Sequence, residues 1–458
     1  MITNKTRFIY DSFNIQRLTY PKLKLNLKYI IISWKSAINI YLLLLLKKYN
    51  QYIEVFAGFY INMELSYILK YFFNKIGSLN INYSENLKNM PDFRYSYLLN
   101  NTIKNLSNII EILLIGSNPR LELPLLNSYI RKSYLNNLSF KIYSIGLGLN
   151  FLTYPVLNIG SSLKNLYKFL YGISIVNKYF IFENFYNTSF FKKNILLNSS
   201  FILGSSFFIR TDYNNILNSL IYFFEKFKIN LKNLNIIFKN LGRISFYESN
   251  LFYQINLKSN FYKNKFSSFN YFLGLDNLNF TERNNKFNIN VYQGFFYISK
   301  FFEFINLVLP SAIYIEEAST YLNIEGRLRY SNLAIKPLKN IISDYLIIES
   351  LNILIKYLIK NNFSIINNYY KIKNYFLNLF NFYNNYLYSL NIYKKKIENN
   401  KNLYFNNNFF NINFYYFQFL NSIFFSTINN YYANDIYSKN SKILTIMSKK
   451  IDYLNFKN

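Results

Sequence analysis

Ile109-Ile110-Glu111-Ile112-Leu113-Leu114-Ile115-Gly116 runs directly into Ser117-Asn118-Pro119-Arg120-Leu121-Glu122. Seven of the first eight residues are apolar or glycine. That near-continuous run is the pattern of a strand buried on both faces, the habit of parallel sheets covered by helices. Pro119 cannot donate to a ladder, so the chain turns there. A helical pattern from about Pro124 to Ser133 follows, and Lys141–Gly146 reads as another strand ending in glycine.

Working outward, the same unit recurs. Ile53–Gly58 reads as a strand and Met63–Ile76 as the helix after it. Phe201–Gly204, Tyr271–Gly274, Ile289–Gly294 and Asn306–Pro310 repeat the strand form, with a helix expected over Ile216–Phe227. Strand, turn, helix and strand at this spacing specify an α/β protein built on mainly parallel sheets. At 458 residues the chain has room for several such subdomains. We divide it into a basic lead-in (1–30), an α/β region (31–356) and an Asn/Tyr/Phe/Lys-rich extension (357–458). The extension has no Gly or Pro. Its aromatic content sets it apart from disordered tails, so it reads as a helical, partner-bound extension.

Two absences narrow the chemistry. The chain has no Cys and no His. It therefore has no thiolates for an iron–sulfur cluster, no disulfide, and neither of the side chains that usually bind zinc. Ser–His–Asp and Cys–His catalysis are excluded too. The net charge of +30, from 52 Lys+Arg against 22 Asp+Glu, is of the size that attracts polyanions. However, 48 Phe and 47 Tyr accompany it, with Asn and Lys in blocks. Those residues have AT-rich codons, so drift in an AT-rich genome accounts for the charge better than a selected polyanion site. The longest apolar stretch, Tyr29–Leu46, carries Lys35 and Asn39. Trp34, Ala37, Ile38, Tyr41, Leu42 and Leu45 share one helical face, which specifies an amphipathic core helix rather than a membrane span. The first 28 residues are basic, but Asp11 and the mixed pattern make a poor transit peptide.

Most motif-like stretches have an ordinary reading. Gly146-Leu147-Gly148 starts like a dinucleotide fingerprint, but Phe151 stands where the third glycine belongs. Gly160-Ser161-Ser162-Leu163-Lys164 lacks the ending of a phosphate loop. Glu316-Glu317, taken as neighbours on a strand, would point to opposite faces and lie on a solvated or salt-bridged surface. Lys394-Lys395-Lys396 and Lys449-Lys450 read as solvated faces. Ser117 to Glu122 stands out because it lies at the carboxyl edge of the strongest strand, where open α/β sheets meet ligands. There Asn118 can close a local turn, and Arg120 with Glu122 can pair to brace the next helix.

At these residues a family resemblance appears. Asp92-Phe93-Arg94-Tyr95-Ser96-Tyr97-Leu98-Leu99-Asn100, then Ile112 to Arg120, then Pro124-Leu125-Leu126-Asn127 and Ile130-Arg131-Lys132, resemble the large iron–sulfur subunit of complex I downstream of its cluster-binding region. A second block is similar to that family's late motif, shared more weakly with molybdopterin oxidoreductases. It comprises Leu309-Pro310, Tyr314, Glu316, Thr320-Tyr321, Asn323, Glu325-Gly326-Arg327, Pro337 and Asp344. Weaker stretches, Ser33-Trp34, Leu203-Gly204-Ser205-Ser206 and Tyr292-Gln293-Gly294, fall in the family's order, so the resemblance spans about residues 14 to 356.

The resemblance implies a molybdopterin-oxidoreductase-like fold of several α/β subdomains. It implies a non-catalytic, structural place in the peripheral arm of mitochondrial NADH:ubiquinone oxidoreductase, peripheral to the membrane on the matrix side. On this expectation the chain holds no cofactor or metal and binds no nucleic acid. The iron–sulfur clusters belong to a separate partner polypeptide among the peripheral-arm subunits. Asn118, Pro119, Arg120, Glu122, Asn127, Glu316, Asn323, Glu325, Gly326 and Arg327 are then structural rather than catalytic. Two departures stand out: Phe295 and Phe296 replace a pair of histidines common in the family, and Ser311 and Ser319 replace glycines. The competing reading from charge and aromatics is a mitochondrial ribosomal or RNA-binding protein.

Overall fold

The computed structural model describes residues 2–25, 28–47, 53–78, 80–83, 94–137, 139–146, 149, 152–171, 175–177, 180–182, 199–208, 210, 212–238, 240, 242–249, 251, 269–275, 289–297, 302–358, 424 and 430–457. Asp92, Phe93, Leu147, Gly148, Asn150, Phe151, Lys394 to Lys396 and most of the 357–458 extension lie outside them. The chain falls into two compact units, Met1–Ile348 with Phe419–Asn458, and Glu349–Gln418.

Sixteen strands are described. They are β1 (Lys22–Leu25), β2 (Lys28–Ile31), β3 (Ile53–Ala57), β4 (Ile81–Tyr83), β5 (Glu111–Ile115), β6 (Lys141–Ile145), β7 (Leu157–Gly160), β8 (Ile175–Asn177), β9 (Phe180–Phe182), β10 (Ser199–Leu203), β11 (Leu234–Ile236), β12 (Phe269–Leu273), β13 (Ile289–Gly294), β14 (Leu307–Pro310), β15 (Ser319–Leu322) and β16 (Leu328–Ser331). The helices are α1 (Asn4–Phe8), α2 (Trp34–Lys47), α3 (Met63–Lys75), α4 (Pro119–Glu122), α5 (Pro124–Asn136), α6 (Leu163–Tyr171), α7 (Ser205–Phe208), α8 (Tyr213–Lys226), α9 (Gly242–Glu248), α10 (Asp344–Leu358), α11 (Ile436–Asn440) and α12 (Lys442–Lys457). All seven strands and four helices expected from the pattern are present, with ends shifted by a few residues.

Two parallel sheets organise the larger unit. One has seven strands in the order β2-β1-β14-β13-β12-β3-β4. Strands β14 to β4 in that order pair parallel, and the β1–β2 hairpin adds two antiparallel strands at one edge. Counted along the chain, the parallel strands are ordered 2-1-3-4-5, a doubly wound pattern whose order reverses between β3 and β12. The second sheet, β11-β10-β5-β6-β7, is parallel throughout and inserted in the chain between β4 and β12. Its order of 3-2-1-4-5 reverses between β5 and β10.

The apolar run of β5 explains its central place: all five of its residues are buried. Ile112, Leu114, Ile142 and Ile202 pack with Leu126 and Ile130 of α5 on one face. In the first sheet Phe56, Phe272, Tyr292 and Val308 form a core with Leu18, Phe302 and Ile305. Helix α2 buries Ala37, Tyr41, Leu42 and Leu45 and exposes Leu43, as its period requires.

The described C-terminal segment is helical. Asp435 caps α11 through a reciprocal pair of bonds with Ser438. Tyr437 then enters an aromatic cluster, stacked on Phe295 with ring centroids 5.1 Å apart and edge-on to Phe296, Tyr60 and Tyr314. The two phenylalanines that depart from the family pattern are thus buried core residues.

Candidate functional site

Both quoted motifs lie at carboxyl edges of the two sheets. In the first, β5 ends at Gly116, whose φ of +56° suits glycine, and the chain turns into α4 with Pro119 buried at its first position. The turn is closed by the Asn118 main-chain carbonyl, which accepts from Leu121 N (3.0 Å) and Glu122 N (2.9 Å), and not by the side chain as expected. The sequence predicts that Glu122 braces the next helix through Arg120. Glu122 Oε1 accepts from Ser205 Oγ at 2.7 Å, tying α4 to the start of α7, and Arg120 is exposed. Asn127 Oδ1 accepts from Tyr154 OH at 2.6 Å.

The second motif forms a hairpin. Asn323 Oδ1 accepts from Glu325 N (3.1 Å) and Arg327 N (2.8 Å), closing the β15–β16 turn. Gly326, at φ +71°, leaves room for Arg94, whose Nη2 donates to the Gly326 carbonyl at 3.1 Å. Glu325 Oε1 accepts from Ile103 N at 2.9 Å. The hairpin tip is therefore stitched to residues 94–103, which joins the two motif blocks. Arg327 is largely exposed and approaches Glu325 at 3.3 Å.

Glu316 and Glu317 overturn the surface reading. They occupy a tight turn rather than a strand, and both are buried. The period-two argument fails because the backbone between β14 and β15 is not extended. Glu316 pairs with Arg17 and accepts from Ile313 N at 3.1 Å. Arg17 also donates to the Ser311 carbonyl at 3.2 Å. Glu317 Oε1 accepts from Asn62 Nδ2 at 2.9 Å, while Asn62 Oδ1 caps α3 through Leu65 N. On the first turn of α3, Glu64 accepts from Thr320 N and Oγ1. Gln293 donates to Asp344 at 2.6 Å and accepts from Tyr271 OH.

Sequence reading missed Arg17, Asn62 and Glu64. Only Asn62, placed just before an apolar helical run, carries a local signal, that of an N-cap.

Burial sets the electrostatics here. The Glu317 carboxyl is pushed well above the usual carboxylate range, first by desolvation and then by the charges of Asp344, Glu64 and Glu316, with the Asn62 bond opposing. Asp344 is pushed up to about 6 by desolvation, against the bond from Gln293 and the charge of Arg17. Its residue keeps some surface, but its carboxylate lies inward against Gln293. Burial raises Glu64 as well, against the bonds from its own backbone and Thr320. Raised carboxyl values mean the folded state holds these protons more tightly than the unfolded chain. For Asp344 the stabilising effect is complete below about pH 4 and is lost as pH rises through about 6, and burial of Glu317 and Glu64 acts in the same direction. A Glu317→Gln/Asp344→Asn variant should therefore gain thermal stability over wild type progressively across that window. Melting curves showing a constant difference from pH 4 to 7 would rule this out.

The arrangement can hold protons and clamp elements: it joins α3, the hairpin, β13 and the start of α10. Among the described residues, no three acidic side chains are gathered closely enough to hold a metal ion.

Comparison with known proteins agrees with this frame. The NADH-ubiquinone oxidoreductase 75 kDa subunit of Reclinomonas americana is 29% identical over 371 residues, 77% of this chain and 51% of the relative. A NADH-quinone oxidoreductase subunit of Rickettsia bellii is 30% identical over 357 residues, 76% of this chain and 48% of the relative. The mitochondrial 78 kDa subunit of NADH-ubiquinone oxidoreductase from Candida albicans is 28% identical over 364 residues, 77% of this chain and 46% of the relative. The chain spans about half the length of these curated relatives. Residues 17–352, running from the buried arginine of the carboxylate cluster into α10, match the molybdopterin oxidoreductase family, and the chain belongs to it.

Proposed function

We propose that this chain is a structural subunit of mitochondrial NADH:ubiquinone oxidoreductase, bracing a separate iron–sulfur polypeptide within the peripheral arm on the matrix side of the inner membrane. The observation that carries the reading is the match to subunits of that enzyme by a chain without Cys or His. Such a chain can position a neighbour that conducts electrons but supplies no thiolate or imidazole to a cluster. Among the described residues, no helix is long and apolar enough to cross a membrane, in keeping with a peripheral place.

The family name implies a molybdopterin cofactor, and the residues present do not fit one. Ligands of open α/β sheets lie at the carboxyl edge where strand order reverses. In the seven-stranded sheet the two strand ends lie against each other there, so that a Cβ added to Gly58 would stand 1.9 Å from the Gly274 carbonyl oxygen. In the five-stranded sheet the ring of Phe424 lies against Gly116.

The test is capture of the tagged chain from mitochondria in mild detergent. Subunits of an NADH:quinone-active assembly, one of them carrying iron–sulfur clusters, are expected to come with it. A free monomer, or co-sedimentation with ribosomal particles, would overturn the reading. Arg327→Ala gives a finer check. Its exposed pair with Glu325 contributes at most about 1 kcal/mol, so the isolated chain should melt nearly as wild type. Assembled complex on native gels should fall, with turnover per assembled complex unchanged. Normal assembly with slower turnover would contradict a bracing role.

A further inference from the structure

Between the β15–β16 hairpin and α10 every residue from Asn332 to Lys339 is exposed. Tyr330 (65% exposed), Leu333 (46%), Ile335 (53%) and Leu338 (50%) stand out in water along this stretch. The backbone beneath them is held. Ala334 N and Ile335 N both donate to the Ile315 carbonyl, at 3.0 and 3.1 Å, and Ile341 N donates to Leu338 O at 2.9 Å. Trp34 Nε1 donates to Asn340 O at 2.7 Å. β16 pairs only with β15, so its outer edge presents unused main-chain donors and acceptors. The charge here has one sign. No acidic residue occurs from Gly326 to Ser343. Arg329, Lys336 and Lys339 are exposed, and none of them is in an ion pair among the described residues.

We infer that Tyr330 to Leu338 is a protein-docking ridge, and that its partner presents an apolar groove rimmed by carboxylates. Apolar side chains gathered on a fixed, exposed backbone mark an interaction surface. An aromatic and an arginine among them are the residue types that anchor protein interfaces. Charge complementarity selects the partner. Three cations without counter-ions interleave with the apolar side chains and call for carboxylates opposite them. A second copy of this chain, at net charge +30, would bring the same sign to the face. Lipid would leave the open edge of β16 without hydrogen-bond partners, whereas a polypeptide can add a strand to it. Nucleic acid would find one aromatic ring on which to stack, set among aliphatic side chains. The inference deepens the bracing role proposed above by naming the surface that does it, and rests on that role only in requiring a protein partner.

The test is photo-crosslinking in the native assembly, with p-benzoylphenylalanine in place of Ile335. Leu135, 68% exposed on α5, is the control position. The expected result is a crosslink from position 335 to an apolar, net acidic segment of one other polypeptide, at least about tenfold stronger than any from position 135. A crosslink to RNA, to lipid, to a second copy or to a basic segment overturns the inference, as do equal yields at the two positions or none. A crosslink of the expected kind inside an assembly without NADH:quinone activity leaves the ridge standing and removes the assembly proposed above. An NADH:quinone-active assembly crosslinked only elsewhere does the reverse. Leu333→Ser/Ile335→Ser and Lys336→Glu/Lys339→Glu change exposed side chains alone, so each isolated chain should melt within about 2 °C of wild type. Each variant should lower the share of chain held in the assembly roughly tenfold. Retention at the wild-type level by either one overturns the inference.

Discussion

Arg17→Ala should destabilise the chain by about 3–5 kcal/mol, the cost of leaving a buried charge uncompensated. The Arg17 side chain is 5% exposed and that of Glu316 is 9% exposed. Little water reaches either group to replace the lost partner. Arg17 also fixes main chain. Leu18 N donates to Phe295 O at 3.0 Å and Tyr297 N to Gln16 O at 2.8 Å, so the lead-in runs antiparallel to the loop after β13. From there the guanidinium reaches Ser311 O and Glu316 at the end of β14 and the turn beyond it. A double-mutant cycle separates charge from packing. Arg17→Met/Glu316→Leu, apolar and close in volume, should recover most of the loss, because neither desolvated charge remains. The measurement is urea unfolding of wild type, the two single variants Arg17→Met and Glu316→Leu, their double variant, and Arg17→Ala. A single Arg17→Ala variant unfolding at the wild-type midpoint would show that Glu316 needs no counter-charge.

That pair also marks where sequence reading stops. The strand-and-glycine units are legible because a parallel strand buried on both faces imposes local apolarity, and its exit imposes a local backbone requirement. Ile112 to Ile115 and Val55 to Ala57 carry that signal within a few residues. Arg17 and Glu316 lie 299 positions apart, and nothing near either announces the other. Sequence alone assigns Glu316 and Glu317 to the surface because charge usually lies there. Their burial depends on Arg17, Asn62 and the turn that sets both side chains inward. Tyr437 and Phe424 have no local signal in an Asn- and aromatic-rich tail, since their places are set by cavities that other segments leave.

Gly58→Ala should cost about 4 kcal/mol or more, in the range where a single substitution points to a specific steric fault. The added Cβ would stand 1.9 Å from the Gly274 carbonyl oxygen and 2.9 Å from that of Leu273. Both neighbours are main chain and cannot rotate aside. Gly274 N is itself held by Gln293 O at 2.8 Å, so β3 and β12 would have to part where strand order reverses. Gly77 is the control that isolates crowding from conformation. It follows α3 at φ +82°, exposed, with nothing within 4 Å of an added Cβ. Ser78 N donates back to Phe73 O at 2.9 Å, the closing bond of a helix end that favours glycine. Gly77→Ala should therefore cost only about 1 kcal/mol, from the left-handed backbone alone. Guanidinium unfolding of the two variants gives the comparison. Equal losses would mean that contact between the two strand ends is not what makes glycine necessary at position 58.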